Sequence, residues 1–382
     1  MPHGSSAERY GGALLTARPD THADHLAAAR SAFRSGDWET SYAAFSRAGA
    51  IGPLSVDDLD AMAGAAWRSG HDRESMRVGE LVYVRLTRTD PNSAATKAVE
   101  LGSAWLSRGE VAVGQSWIRR ARGLLAGAAD SPVLVRLTYL ETVVAVLSDD
   151  AEQIADRSAA LREMSTRVPE PEPPTFDAGE LLDVMGDQRL AVLGKALEDA
   201  HARAAGQAYY RLGEVRRHKG DVDGAMAAYA RAHELGVAPQ PGEALLRCAL
   251  GDVDTAWVEI RAAIAVAGER DRPRLLRGAV EIALARGDVD SAEQYLRELD
   301  AAGASDALLR ARLLIGRGRY REALTVLRSA LRESRARRSA YAAAEVYELT
   351  AAAYQGLGGD HLAAADRAAA AEIYRRLGIT PR

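Results

Sequence analysis

The chain has 382 residues, 47% hydrophobic and 27% charged, ordinary proportions for a soluble protein but too long for one compact core unless the architecture grows by repetition. A formal net charge of −4 excludes the global basic field that advertises nucleic acid or anionic membrane as a partner. Cys248 is the only cysteine, which excludes an intramolecular disulfide framework and makes a reducing cytoplasm the expected compartment.

Met1–Leu15 has no basic segment leading into an apolar run, so no signal peptide is read there. Residues 1–21, rich in Gly, Ser and Ala without period, are expected to form a flexible N-terminus. No apolar stretch approaches the roughly 20 residues that a membrane helix needs. From residue 22 a punctuation mark organises the chain. A Gly, usually followed by a charged residue, stands at Gly36, Gly70, Gly109, Gly220, Gly251, Gly287, Gly318 and Gly358. Successive marks lie about 31 to 40 residues apart, apart from one gap of about 111 that would hold two degenerate copies.

The segment Ala208–Leu235 is the clearest copy. Leu212 and Gly213 fall in a first helix, Gly220-Asp221 makes the turn, and Ala225, Tyr229 and Ala232 fall in a second helix. Measured from each turn Gly, the same slots recur. Seven residues before it come Ala29, Ala63, Gly102, Gly213, Ala244, Val280, Ala311 and Ala351; five after it come Ser41, Ser75, Gly114, Ala225, Ala256, Ala292, Ala323 and Ala363. Small residues are needed where two helices cross at short range, because a larger side chain would push the axes apart.

Inside the long gap, Pro132 opens a helix with its body at Val133–Leu147, and Ala151–Ser165 forms the next. The run Val168–Thr175 carries Pro at alternate positions and breaks helical geometry, leaving a semi-rigid acidic spacer. A helical pattern resumes around Glu180 and over Leu190–Ala205. The last helix, Leu362–Leu377, stops at Gly378. The expected organisation is an N-terminal arm at 22–166, a Pro-rich spacer at 167–176 and a C-terminal arm at 177–382. The alternative is a surface loop within one continuous superhelix.

The period and the slots together match the tetratricopeptide class: an all-α, helical-hairpin solenoid wound as a right-handed superhelix. Two segments carry more than a generic repeat: Gln240–Arg247 with Gly251–Asp254 and Ile260–Ile264, and Val280–Ala292. With Ala208–Arg217, Ser339–Ile379, Ser35–Trp38, Trp67 and Trp105, they resemble the MalT-like helical-repeat sensor region of large bacterial LuxR-type transcription regulators. The likeness covers Ala23–Ala126 and Ala204–Leu377. Such regulators end in a helix-turn-helix domain, which has no counterpart after the last repeat here, so direct DNA binding is not expected. The resemblance implies the sensing or interaction half of a regulator.

Catalytic signatures are missing: there is no G-x-S-x-G, no H-E-x-x-H and no phosphate-cradling Gly-rich loop. His22-Ala-Asp-His25 has crude metal-ligand spacing but too few ligands, and reads as solvated polar residues; Cys248 reads as a small packing residue. No metal or cofactor is expected. The informative positions lie on the first helix of each hairpin, which lines the concave face of such an array. Counting from the turn Gly directs Phe33, Arg34, Trp67, Arg68, Tyr210, Glu214, Arg217, His218, Arg277, Glu281 and Arg312 toward the groove. Arg mixed with aromatic rings suits a carboxylate-bearing or acidic partner, because guanidinium forks bind carboxylates and stack on rings. The tract Arg328, Arg332, Arg335, Arg337 and Arg338 reads as a solvated face.

The expected role is therefore a non-enzymatic cytoplasmic module that holds a peptide, a protein partner or a small molecule in its groove, within bacterial regulation. One rival is an enzyme of secondary metabolism with Glu214, Glu281, His218 or Tyr210 as acid or base in the same concavity. Another is self-association into a homodimer through terminal repeats.

Overall fold

In the computed structural model the described residues are 21–168, 185–269, 271–336 and 340–377; they form nineteen α-helices and no strand. The all-α helical-hairpin repeat fold expected from the turn spacing is the fold observed. By packing, the chain divides into two compact units, residues 1–85 and 86–382. Residues 1–20, most of the Pro-rich spacer (within 169–184), Arg337, Arg338 and Gly378 lie outside the described residues. The arms placed at 22–166 and 177–382 remain a proposal.

The repeat is built by one local device. A first helix runs into a Gly in the left-handed region, and in several copies the Asp that follows caps the second helix. All eight marking glycines have φ between +70° and +92°. At Gly220 (φ +78°) the chain leaves one helix, and the Asp221 carboxylate accepts the Gly224 amide at 3.0 Å to start the next. Asp37 and Asp288 cap in the same way, which explains the charged residue after the mark. In the long gap the mark is Asp149, at φ +53°, and Asp150 then caps through the Gln153 amide at 3.0 Å. Asp tolerates the left-handed region better than most residues, so the turn survives without glycine.

Unit 1 contains α1 (His22–Arg34), α2 (Trp38–Ile51), α3 (Val56–Arg68) and nearly all of α4 (Asp72–Leu86). Its core is Ala29, Ala44, Phe45, Ala48, Met62, Ala63, Met76 and Val82. The crossing slots work as anticipated: the Ser41 and Ser75 hydroxyls donate to the Ala29 and Ala63 carbonyls across the hairpin at 3.1 and 2.8 Å. Arg30 on α1 grips Asp58 on α3 through two bonds of 2.7 and 2.8 Å, and Ser55 adds a third at 2.6 Å.

Unit 2 continues with α5 (Pro91–Ser107), α6 (Val111–Leu124), α7 (Pro132–Leu147) and α8 (Ala151–Ser165). Next come α9 (Asp187–Leu197), α10 (Ala202–Lys219), α11 (Val222–Glu234), α12 (Gly242–Ala249) and α13 (Val253–Val266). It closes with α14 (Arg272–Ala285), α15 (Val289–Ala301), α16 (Ala307–Gly316), α17 (Tyr320–Ala336), α18 (Ala340–Gly356) and α19 (Asp360–Leu377). One sequence expectation is corrected here. Leu190–Ala205 is not continuous helix; the chain breaks over Glu198–His201, where His201 Nδ1 accepts the Ala204 amide at 3.3 Å and starts α10 afresh.

Helices pack mainly on their sequence neighbours, and the first helices α10, α12, α14, α16 and α18 also touch one another in succession. They form an inner layer backed by the second helices. Close approach within a hairpin is severe at Gly213, where a Cβ would sit 2.4 Å from the Tyr229 ring. No described helix is long and apolar enough to cross a membrane.

Candidate functional site

Three stretches of unit 2 place polar side chains on the inner face of the first-helix layer. On α10, Tyr210, Glu214 and Arg217 recur at helical spacing and share one face, with His218 beside them. Arg217 Nη2 reaches Glu214 Oε2 at 3.0 Å and its Nε reaches Oε1 at 3.2 Å. From α11, the Tyr229 hydroxyl also donates to Glu214. Burial alone would raise the Glu214 pKa, but the Arg217 charge and hydrogen bond, with Tyr229, outweigh it and hold the carboxyl below its ordinary value. The same partnership pushes the buried Arg217 up, against its own desolvation and with help from Tyr229 and Glu281.

The second stretch is an ion ladder across three first helices. Arg312 on α16 stands between Glu281 on α14, at 3.7 Å, and Glu345 on α18, at 3.2 Å. Its Nε is buried and finds no hydrogen-bond partner among the described residues. Glu348, one turn beyond Glu345, accepts from the Tyr374 hydroxyl of α19 at 2.9 Å. The third stretch closes the row. His218 meets Tyr341 edge to face, with ring centroids 5.1 Å apart, and Tyr341 in turn meets Tyr374 at 6.0 Å. This contact joins α10 to α18 with α12, α14 and α16 between them in the layer. Glu214, Glu281 and Arg312 stand on first helices of the layer that this contact spans.

At the edge of this surface stands Tyr210, only 4% exposed. Arg274 lies over its ring at 4.6 Å and Arg211 at 6.0 Å. Burial first, and then the Glu214 charge, raise the Tyr210 pKa, against the opposing guanidinia of Arg274, Arg211 and Arg217. The phenol stays protonated at neutral pH. Arg277, one turn after Arg274, makes a looser pair with Asp306 at 3.4 Å and donates to the Ala304 carbonyl at 3.4 Å.

The sequence-derived residues of unit 1 form a separate cluster. Phe33 meets Trp38 edge to face at 5.4 Å, and the Arg68 guanidinium lies 4.7 Å from the Trp38 ring while donating to Gly64 O at 3.1 Å. Trp67 is half-buried, and Arg34 is exposed. Trp38 was missed because it opens a second helix, outside the first-helix frame; its place directly after Gly36-Asp37 was the available signal. Tyr229 was missed for the same reason. Arg274 shared a face with Arg277, three residues away, and could have been found from that spacing.

Other candidates hold less. His22 Nδ1 bonds the Ala48 carbonyl at 3.0 Å and Asp24 caps α1, so the His22–His25 motif is absorbed into a helix start. Among the described residues no three His, Cys, Asp or Glu side chains converge on a metal position. An open cavity of about 810 Å³ lies beside α9, lined by Asp149, Asp187, Arg189, Arg216 and Lys219. Its cations are spent on its own carboxylates: Arg216 and Lys219 on Asp187 at 3.3 and 3.7 Å, and Arg189 on Asp149 at 3.5 Å.

No protein-family model matches the chain, and no curated protein matches it significantly. Solved structures do. A Rap protein complexed with competence and sporulation factor is 13% identical, with a TM-score of 0.38 over 93% of this chain and 98% of that one. Aspartyl phosphate phosphatase F from Bacillus subtilis is 11% identical, with a TM-score of 0.39 over 96% and 97%. The APC/C hetero-tetramer Cut9–Hcn1 is 14% identical, with a TM-score of 0.35 over 92% and 96%. Likenesses this distant carry no reading of this chain's role.

Proposed function

We propose that the protein is a non-enzymatic binding module whose unit 2 holds a partner peptide against the concave face of its first-helix layer. The observation that supports this is the linked row of Tyr, Arg and Glu side chains from α10, α14, α16 and α18 along the first-helix layer. Solenoids of helical hairpins present such surfaces to extended ligands. A few aromatic and Arg anchors would supply most of the affinity. The resemblance of Gln240–Ala292 to the sensor region of LuxR-type regulators extends the proposal to a regulatory role in a bacterial cytoplasm.

The enzyme reading requires a carboxyl with a pKa near the working pH. Glu214, its best candidate, is instead held ionised by Arg217 and Tyr229. A peptide array probed with wild-type protein and with Arg277→Glu tests the binding reading. The expected result is selective capture that the charge reversal weakens at least tenfold, with a melt that stays cooperative although lowered by loss of the Arg277–Asp306 pair. The same peptides bound equally by both proteins would remove the groove from the proposal.

A further inference from the structure

Most cations on the inner face of unit 2 already have an anion. Arg217 is paired with Glu214, Arg312 with Glu281 and Glu345 through its two terminal nitrogens, and Arg277 with Asp306. Arg274 differs. It is half-buried on α14, and among the described residues no carboxylate lies within ion-pair distance of it; its one described interaction is the stack on Tyr210 at 4.6 Å. The Tyr210 hydroxyl likewise makes no hydrogen bond among the described residues, although the side chain is 4% exposed.

A ring stack fixes the guanidinium plane and leaves its N–H edge free to meet an acceptor. A half-buried cation and a hydroxyl that reaches solvent at the end of a buried ring, both donors without a protein acceptor among the described residues, leave room for one acceptor brought by a ligand. Arg274 brings to the cluster a positive charge with no carboxylate within ion-pair distance among the described residues, which suits a carboxylate of the ligand.

We propose that Arg274 and Tyr210 form a carboxylate-anchoring subsite, at which the groove takes an acidic side chain of its partner peptide. This rests on the reading of the inner face as a peptide groove, and it names the chemistry of one anchor in that groove. Arg274 makes the charged fork, Tyr210 donates a second hydrogen bond, and the Arg277–Asp306 pair beside them sets the rim.

A fluorescent hexaglutamate peptide, a hexaglutamine control, N-acetylglutamate and inorganic phosphate are the probes, with anisotropy and competition as readouts. Wild type is expected to bind hexaglutamate and not hexaglutamine. Arg274→Gln should weaken binding at least tenfold. Arg274→Lys should recover it only in part, because a Lys ammonium cannot stack or bind bidentately, and Tyr210→Phe should weaken it severalfold. Arg274 gives up no ion pair when replaced, so circular dichroism melts should overlay those of wild type, and Tyr210→Phe keeps the ring that packs.

Equal binding of hexaglutamate by wild type and Arg274→Gln overturns the subsite while leaving the groove reading intact. Equal binding of hexaglutamine, or displacement by phosphate at lower concentration than by N-acetylglutamate, overturns the carboxylate assignment. If hexaglutamate fails to bind, the acidic-peptide inference falls. Selective capture in the peptide array, lost in Arg277→Glu, would then still stand for the groove.

Discussion

Glu214 shows how one side chain can knit two helices of a hairpin together. It is buried between Arg217 and Tyr229, and a Cβ on Gly242 would sit 2.3 Å from its Oε1, so the carboxylate fills a space made for it. Removing one member of a buried ion pair strands the other, at a cost of about 3–5 kcal/mol. Glu214→Gln is expected to lose stability in that range in urea unfolding. The pH dependence has a definite sign. Because the folded pKa lies below the ordinary 4.5, the contribution of this carboxylate is complete above pH 4.5 and is lost as pH falls through the lower folded value. The variant should lack that part of the acid limb, and an unchanged limb would mean that Glu214 is not ionised in the fold. Reading this cluster from sequence reached Tyr210, Glu214, Arg217 and His218 because helical spacing alone puts them on one face. It could not reach Tyr229, which arrives from the second helix through packing, nor Arg274, which comes from a helix two hairpins on.

At the scale of the element, each hairpin depends on a residue that accepts positive φ between its helices. Gly220 accepts it freely, whereas Asp149 adopts φ +53° with a side chain in place. Forcing an L residue into that region costs about 1–2 kcal/mol, less for Asp than for most. Asp149→Gly is therefore expected to raise the unfolding free energy by up to about 1 kcal/mol, and Gly220→Ala to lower it by about 1–2 kcal/mol, each as a shifted urea midpoint with an unchanged slope. Equal and negligible effects at both positions would show that the turns carry no strain. The turns were legible because a C-terminal Gly and an N-capping Asp are adjacent in sequence and act locally. Asp149 was hidden because it performs the turn without the residue type that announces it. The break over Glu198–His201 was hidden too: Leu190, Leu193 and Leu197 are fully buried and keep an apolar period up to it, and only the cap at His201 reveals the restart.

For unit 2 as a whole, the decisive contact is His218 with Tyr341, which ties α10 to α18 across the inner face. Tyr341→Ala should loosen that closure, and spin labels on exposed positions of α10 and α18 should report a broader, longer distance distribution. A distribution identical to that of wild type would show that the curvature is held by the packing of neighbouring helices alone. Sequence by itself determined the helical-hairpin repeat and its turns. These depend on spacing and on small residues such as Gly213 and Ala225, whose effects act within one hairpin. Only the tertiary structure decided which charges remain available. Whether Arg217 meets Glu214, Arg312 bridges Glu281 and Glu345, or Arg274 is left with a tyrosine ring depends on how successive hairpins rotate against one another. That rotation is the sum of many small packing contacts, and no local motif encodes it.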